Sequence, residues 1–308
     1  MKPERLVLVG SVLADLSLAV DALPDRGGDA LARRSSTEIG GGFNVLAAAA
    51  RNGLPCALAG LVGAGPFGDL VRAALAREGV EMLLPPAVAG DTGMSIGMVE
   101  PDGERTFLTS PGVESTLSRS DLDMIRLKAG DATYVSGYDL LYPSTGPAVA
   151  GWDLPDGAAL VLDPGPLVTD IPRDVLEPVM ARCAILTLNQ RETGLLTGVE
   201  DPAVAAGTLL PRLPTGALLV LRRGAAGCVL VDGDGAVADI PAPRVAAVDT
   251  TGAGDAHTGV LLAALASGAA PVDAARRANE AAAVAVTRWG SATAPAAHET
   301  PAIDGPPR

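Results

Sequence analysis

The sequence predicts an α/β protein with a mostly parallel sheet covered by helices on both faces, a three-layer α/β/α arrangement. Three observations predict it. Short, continuous apolar runs such as Leu6-Val7-Leu8-Val9 and Leu160-Val161-Leu162 fit strands buried on both sides. Alanine-rich helical segments alternate with those runs, the order that gives parallel strands and crossover helices. No internal repeat and no linker interrupts the 308 residues, so residues 1–308 read as one domain.

Composition narrows the function. With 48% hydrophobic and 19% charged residues, the chain can bury a substantial core. A formal net charge of −13 disfavours nucleic acid and anionic membrane surfaces as partners. Aromatic residues are 3% of the chain, too few for base-stacking platforms. Cys56, Cys183 and Cys228 are far apart and form no Cys-x-x-Cys, which argues against a disulfide framework or a zinc site. The opening Met1-Lys2-Pro3-Glu4-Arg5 leads into a strand rather than a signal peptide, and no apolar run is long enough to cross a bilayer. The expectation is a cytoplasmic protein.

In chain order, the run 6–9 ends at Gly10-Ser11, and Asp15 follows beyond that strand's carboxyl end, where open sheets bind ligands. A surface-turn Asp would occupy the same place. Residues 17–40 and 92–111 mix short apolar and polar stretches and suggest two hairpin-like excursions, the second around Asp102-Gly103. Phe107 and Met94 are candidates for its apolar face.

Next, Gly40-Gly41-Gly42-Phe43-Asn44 opens a helix at residues 45–51. Glycines there let the backbone approach a ligand, and Asn44 can both donate to and accept from a polyol. A glycine turn capped by Asn would look the same. Strand, turn and helix follow over residues 54–81. Tyr134-Val135-Ser136-Gly137 and 160–163 are further strands; Asp139 lies just past the first and could reach an acceptor, and Asp163 ends the second.

The strand at 184–188 delivers Asn189 and Glu192, which share one face of a helix's first turn. An amide and a carboxylate beside a phosphate suit hydrated Mg²⁺, and they also suit helix capping. Arg222-Arg223-Gly224-Ala225-Ala226-Gly227 forms a turn that could wrap a nucleotide or close a hairpin. The stretch Asp249-Thr250-Thr251-Gly252-Ala253-Gly254-Asp255 then leads into a helix that begins at Ala256. Bare backbone amides at a helix N-terminus attract an anion. A carboxylate beside that anion makes sense as the base for a hydroxyl attacking a phosphate, or as a plain helix cap. The oxygens of Asp249, Thr250 and Thr251 suit a bound cation.

Four separated motifs, around Gly41, Asn189, Gly224 and Asp255, occur in the order found in the ribokinase-like (PfkB-type) carbohydrate kinases, and the chain resembles that family from Gly10 to about Ala294. The resemblance implies a ribokinase-like fold whose excursions form a small β-sheet lid over the sugar site. It implies Asp255 as base and the Gly252, Ala253 and Gly254 amides as anion hole. It places Asp15, Gly41, Gly42 and Asn44 at the acceptor. It puts Asn189 and Glu192 at magnesium and phosphate, Arg222, Gly224 and Gly227 along ATP, and Asn279 beside adenine. Asp249 and Thr251, with the loop containing Ser291, would surround a monovalent cation, K⁺. Leu46, His257 and Val260 depart from the residues usual in the family. The activity implied is ATP-dependent phosphotransfer to a primary hydroxyl of a sugar, with a homodimer formed through the lid. A nucleoside kinase and a non-catalytic sensor on the same fold are the alternatives. A nicotinamide dehydrogenase would need Gly-x-Gly-x-x-Gly after the first strand, and Gly10-Ser11-Val12 lacks it.

Overall fold

The computed structural model describes residues 2–101 and 104–299. The Asp102-Gly103 turn lies outside the described residues. The chain opens with β1 (Arg5–Val9), β2 (Val12–Ala19), β3 (Arg34–Gly41), α1 (Phe43–Arg51), β4 (Cys56–Ala59), α2 (Pro66–Arg77), β5 (Glu81–Met82), β6 (Met94–Val99) and β7 (Arg105–Ser110). It continues through α3 (Arg119–Met124), β8 (Asp131–Ser136), α4 (Gly137–Leu141), α5 (Thr145–Ala150), β9 (Ala159–Asp163), α6 (Arg173–Met180), β10 (Cys183–Asn189), α7 (Gln190–Thr197) and α8 (Pro202–Leu209). The last elements are β11 (Leu218–Arg222), β12 (Cys228–Val231), β13 (Val237–Ile240), α9 (Ala253–Ala266) and α10 (Pro271–Ala285).

Nine strands form the central sheet in the order β13-β12-β11-β10-β9-β8-β1-β4-β5. From β11 to β5 the pairs are parallel, whereas β12 and β13 pair antiparallel at one edge. Leu6 and Leu8 pack into one core cluster with α1, α2, α9 and α10. Val7 and Val9 pack into another with α3, α4, α5, α6 and α8. That alternation is why the strand is apolar at every position: both of its faces are buried.

α1 and α9 lie side by side because small residues face each other. A side chain at Gly259 would collide with Ala48 and the Val45 carbonyl. This close approach sets the N-terminal turns of the two helices together.

The lid is a second sheet, β3-β2-β6-β7. It begins at Val12 rather than near residue 17, so Asp15 sits inside β2 rather than in a turn, opposite Glu38 of β3. Register separates its two faces. Asp15, Glu38, Ser95, Arg105 and Phe107 share one face, whereas Ala14, Leu16, Leu18, Met94, Ile96, Met98 and Leu108 share the other. Phe107 and Met94 therefore do not form one apolar face; Phe107 lies over Gly97 on the polar side. The first face meets the loop that follows α10, through Arg34 stacked 4.8 Å over Trp289 and through Glu38 bonded to Ser291.

Candidate active site

The carboxyl ends of β1, β8, β9, β10 and β11 lie at one edge of the sheet, and α1 and α9 begin there. Gly252 takes a left-handed conformation (φ 70°) that an L side chain adopts with strain, and this turns the chain into α9. The first α9 turn contains Ala253, Gly254 and Asp255, so the free amides and a carboxylate share one helix end. Asn44, in the first turn of α1, donates from Nδ2 to Asp255 Oδ2 at 3.0 Å. Burial pushes the Asp255 carboxyl up to about 6; the Asn44 bond opposes that shift and the nearby Asp163 charge adds to it.

Two acceptor atoms in this region are buried without partners. They are Asn44 Oδ1 and Asp15 Oδ1. Unsatisfied buried oxygens are rare and call for a donor. Both need hydrogens, which a polyol supplies. Asp15 is also pushed up to about 6, by burial first and then by Glu38 and Asp249, with Arg105 opposing.

On the other side of α9, Arg222 at the end of β11 stands opposite Asn189 of β10. Its guanidinium donates to Asp163 Oδ2 at 2.8 Å and lies 3.6 Å from Glu192 Oε2. It also runs so close to Gly254 that a side chain there would collide with it. Asn189 and Glu192 form a capping box: the Asn189 side chain accepts from the Glu192 amide, and Glu192 accepts from the Asn189 amide at 2.7 Å and from its Nδ2 at 2.6 Å. The Glu192 carboxyl is pushed up by burial and by Asp163, against the pull of Arg222. Asp163, Glu192 and Asp255 thus carry more negative charge than Arg222 neutralises. Oxygen donors with surplus negative charge suit Mg²⁺, held through its waters because both Glu192 oxygens already accept hydrogen bonds.

Other residues singled out by the sequence lie differently. Gly41 (φ 63°) and Gly42 join the lid to α1, and the Gly42 amide donates to the Ser11 carbonyl at 3.0 Å. Asp139 is fully buried beneath them. Its oxygens accept from the Ser11 hydroxyl at 2.6 Å and the Ser136 hydroxyl at 2.7 Å. Asn279 donates to the Ile240 and Pro241 carbonyls, stapling α10 to the end of β13. Gly224 and Gly227 form the hairpin turn between β11 and β12, and a side chain at Gly227 would collide with the Ile240 carbonyl. His257, buried in α9, is held down to about 3 by burial and by Arg222.

The loop expected to surround K⁺ has a different occupant. Arg105 of the lid donates to Asp249 Oδ1 at 3.0 Å and to the hydroxyls of Thr250 and Thr251. The Ser291 amide and hydroxyl both go to Glu38 Oε2, at 2.6 and 2.9 Å. The side-chain oxygens of Asp249, Thr251 and Ser291 therefore fit a free monovalent cation poorly: they are already paired with groups of the chain, and a guanidinium supplies the charge. Arg105 and Glu38 carried no local signal in the sequence. Only their shared parity on paired lid strands relates them to Asp15.

The chain matches the pfkB family of carbohydrate kinases over residues 3–297. It belongs to that family. It is 32% identical to the sugar kinase YegV of Escherichia coli (strain K12), over 96% of this chain and 92% of that protein. It is 30% identical to an ATP-dependent ribose-1-phosphate kinase of Halopiger xanaduensis, over 95% of each. Its fold is similar to that of ribokinase from Giardia lamblia, with a TM-score of 0.82 at 21% identity over 96% of this chain and 98% of that one. As a pfkB-family member it is an ATP-dependent sugar kinase, and the two-sheet fold of that family is the one described above.

Proposed function

We propose that this pfkB-family kinase transfers the γ-phosphoryl group of ATP to a primary hydroxyl of a sugar held between Asn44, Asp15 and Asp255. The observation that carries the reading is the Asn44–Asp255 bond together with the unpartnered Asn44 Oδ1 and Asp15 Oδ1 beside it. The sugar's hydroxyls would satisfy both orphan oxygens, and another hydroxyl would donate to Asp255.

Asp255 takes the proton of that hydroxyl as its oxygen bonds to the γ-phosphorus. The bond from phosphorus to the β,γ-bridging oxygen breaks, and ADP leaves with the electron pair. The Gly252, Ala253 and Gly254 amides and the Arg222 guanidinium face the charge that builds on the phosphoryl oxygens. Asp163 and Glu192 would hold Mg²⁺ through water, and its charge would screen the ATP phosphates. The turn at Gly224–Gly227 lies along the nucleotide in this reading, while Asp139 and Asn279 hold the backbone that shapes the site. Use of ATP as donor fits the cytoplasm as its place of work. No helix among the described residues is long and apolar enough to cross a membrane.

We also propose that residues 1–308 act as one kinase domain and that two copies pair through the outer lid face. Leu16, Leu18, Ile96, Met98 and Leu108 line that face, and Leu108 is 65% exposed.

The test is ADP release measured with ribose, fructose, adenosine, cytidine and pseudouridine as acceptors. Sugar-dependent ADP release supports the proposal and removes the sensor alternative. Release with the nucleosides alone would replace the sugar with a nucleoside acceptor. No release with any acceptor, from protein that binds ATP, would favour the sensor.

A further inference from the structure

We infer that Arg105 is a built-in cation: a lid-borne positioning residue whose guanidinium takes the place of a monovalent ion in the Asp249–Thr251 loop. Three consecutive residues of that loop, Asp249, Thr250 and Thr251, accept from its two terminal nitrogens. Arg105 and Asp249 are largely withdrawn from solvent, 20% and 8% exposed, while Thr250 lies at the exposed end of the loop. Charge-assisted bonds of this kind are stronger and better directed than neutral ones.

Other groups around the loop are also paired within the chain. Asp249 Oδ1 accepts from the Thr251 amide and hydroxyl, and its Oδ2 accepts from the Gly290 amide at 3.0 Å. Carbonyls farther along the adjoining loop, those of Ala292 and Ala294, are taken by Arg51. Glu38 of the lid takes Ser291. An alkali ion entering here would have to displace Arg105 from Asp249 and would meet a fixed positive charge beside it.

The consequence reaches the cradle. Thr251 precedes Gly252, which turns the chain into α9, so the group that pins Thr251 also sets the direction of the Gly252–Gly254 amides. Arg105 sits on β7, on the lid face that carries Asp15. One side chain thereby ties the lid to the amides, and lid placement and cradle geometry are fixed together. A free ion would fix the loop without holding the lid.

The inference rests on the kinase reading for its rate measurement and stands apart from it in a binding measurement. The intact chain and its Arg105→Met and Arg105→Lys variants are compared in K⁺, Na⁺, Li⁺ and choline chloride at fixed ionic strength. Turnover is recorded, and so are the thermal midpoint and the binding of thallium(I), a K⁺ mimic seen by NMR. The unmodified chain should turn over within about twofold in all four salts, since its charge is already in place. It should bind no thallium at the loop. Arg105→Met should lose roughly tenfold to a hundredfold in choline, the scale of a small misplacement of catalytic groups. K⁺ should restore part of that loss, raise the variant's thermal midpoint above its value in choline, and be matched by thallium binding. Arg105→Lys should fall between the two. Strong K⁺ activation or thallium binding in the unmodified chain overturns the inference. So does an Arg105→Met variant that matches the parent, or one that loses turnover without gaining any response to K⁺, as it would if Arg105 served the substrate instead. If no acceptor is phosphorylated at all, the thermal and thallium measurements still decide the matter.

Discussion

Asn44 Nδ2 lies 3.0 Å from Asp255 Oδ2, a bond between side chains 211 residues apart in the chain. It depends on the close packing of α1 on α9 at Ala48 and Gly259. Asn44 donates to the carboxylate with one atom and leaves the other, Oδ1, without a partner. In the proposed reading the amide orients the base and faces the acceptor at once. Asp255→Asn should fold and bind ATP but lose roughly two to four decades of kcat, the usual scale of general-base catalysis. Steady-state turnover checked against nucleotide titration measures this, and a variant with near-parental kcat would end the assignment.

Asn44→Ala tests the electrostatic half of that relationship. The Asn44 bond is the larger of two influences, with Arg222, that pull the Asp255 carboxyl down against burial. Without it, Asp255 should titrate higher, and the acid limb of the kcat/KM profile should move to higher pH. A purely structural role for Asn44 would lower kcat/KM without moving that limb.

The pH dependence of the parent chain should run in opposite directions for activity and stability. Asp255 must be ionised to accept a proton, so kcat/KM should fall below about pH 6. Asp255 and Asp15 both have folded values near 6, raised from 3.8. A raised carboxyl favours the folded state when protonated. That contribution is fully present below the unfolded value near 4 and is lost as pH rises through about 6. Asp15→Asn should flatten the thermal midpoint over this window, because it removes one of the two titrating groups. Melting curves between pH 4 and pH 7 check the effect, and an unchanged slope in Asp15→Asn would refute it.

The residues proposed for the anion cradle, and Asn189 with Glu192, could be singled out in the sequence because their pattern is local. Gly252 to Asp255 are contiguous, and Asn189 with Glu192 form a three-residue box whose geometry is that of any capped helix. Strands buried on both faces announce themselves as unbroken apolar runs, as at 6–9. The lid was harder to read. Its polar and apolar faces separate only once register is known, so Phe107 and Met94 looked alike in the sequence though they point to opposite sides. Asp139 shows the same limit: a carboxylate after a strand fits an acceptor ligand or a brace equally well in the sequence, and its bonds to Ser11 and Ser136 support the brace. Arg105 could not be found at all, since its partners lie about 144 residues away.

Gly254 illustrates why a residue without a side chain is required at the start of α9. A methyl group there would run into the Arg222 guanidinium, which cannot retreat because Asp163 holds it at 2.8 Å. Gly254→Ala should therefore cost about 1–3 kcal/mol of stability and lower kcat. Arg222→Met alone should also be costly, because it strands the buried Asp163 and Glu192 charges. Combined, the two changes should be markedly less harmful than the sum of their separate effects, since the clash disappears with the guanidinium. A double-mutant cycle from denaturant midpoints measures the coupling, and simple additivity would mean that Arg222 does not press on this turn.

The outer lid face offers the last test. Its register gathers Leu16, Leu18, Ile96, Met98 and Leu108 on one side of a four-stranded sheet, and Leu16, Leu18, Ile96 and Met98 are only partly buried in a single chain. Contiguous exposed apolar surface of this kind marks an interaction site more often than a free surface. If two lids pair there, Leu108→Glu should place a carboxylate in the interface and shift the molecule from dimer to monomer in light scattering across a concentration series. The same substitution should leave far-ultraviolet circular dichroism unchanged, because Leu108 is 65% exposed and contributes little to the folded core. Lid closure would then lose its partner. The KM for the acceptor should rise by about tenfold while ATP affinity stays level, because the lid's inner face carries Asp15 and the residues proposed for the nucleotide are not on the lid. A parent chain that is monomeric at every concentration would rule out the pairing.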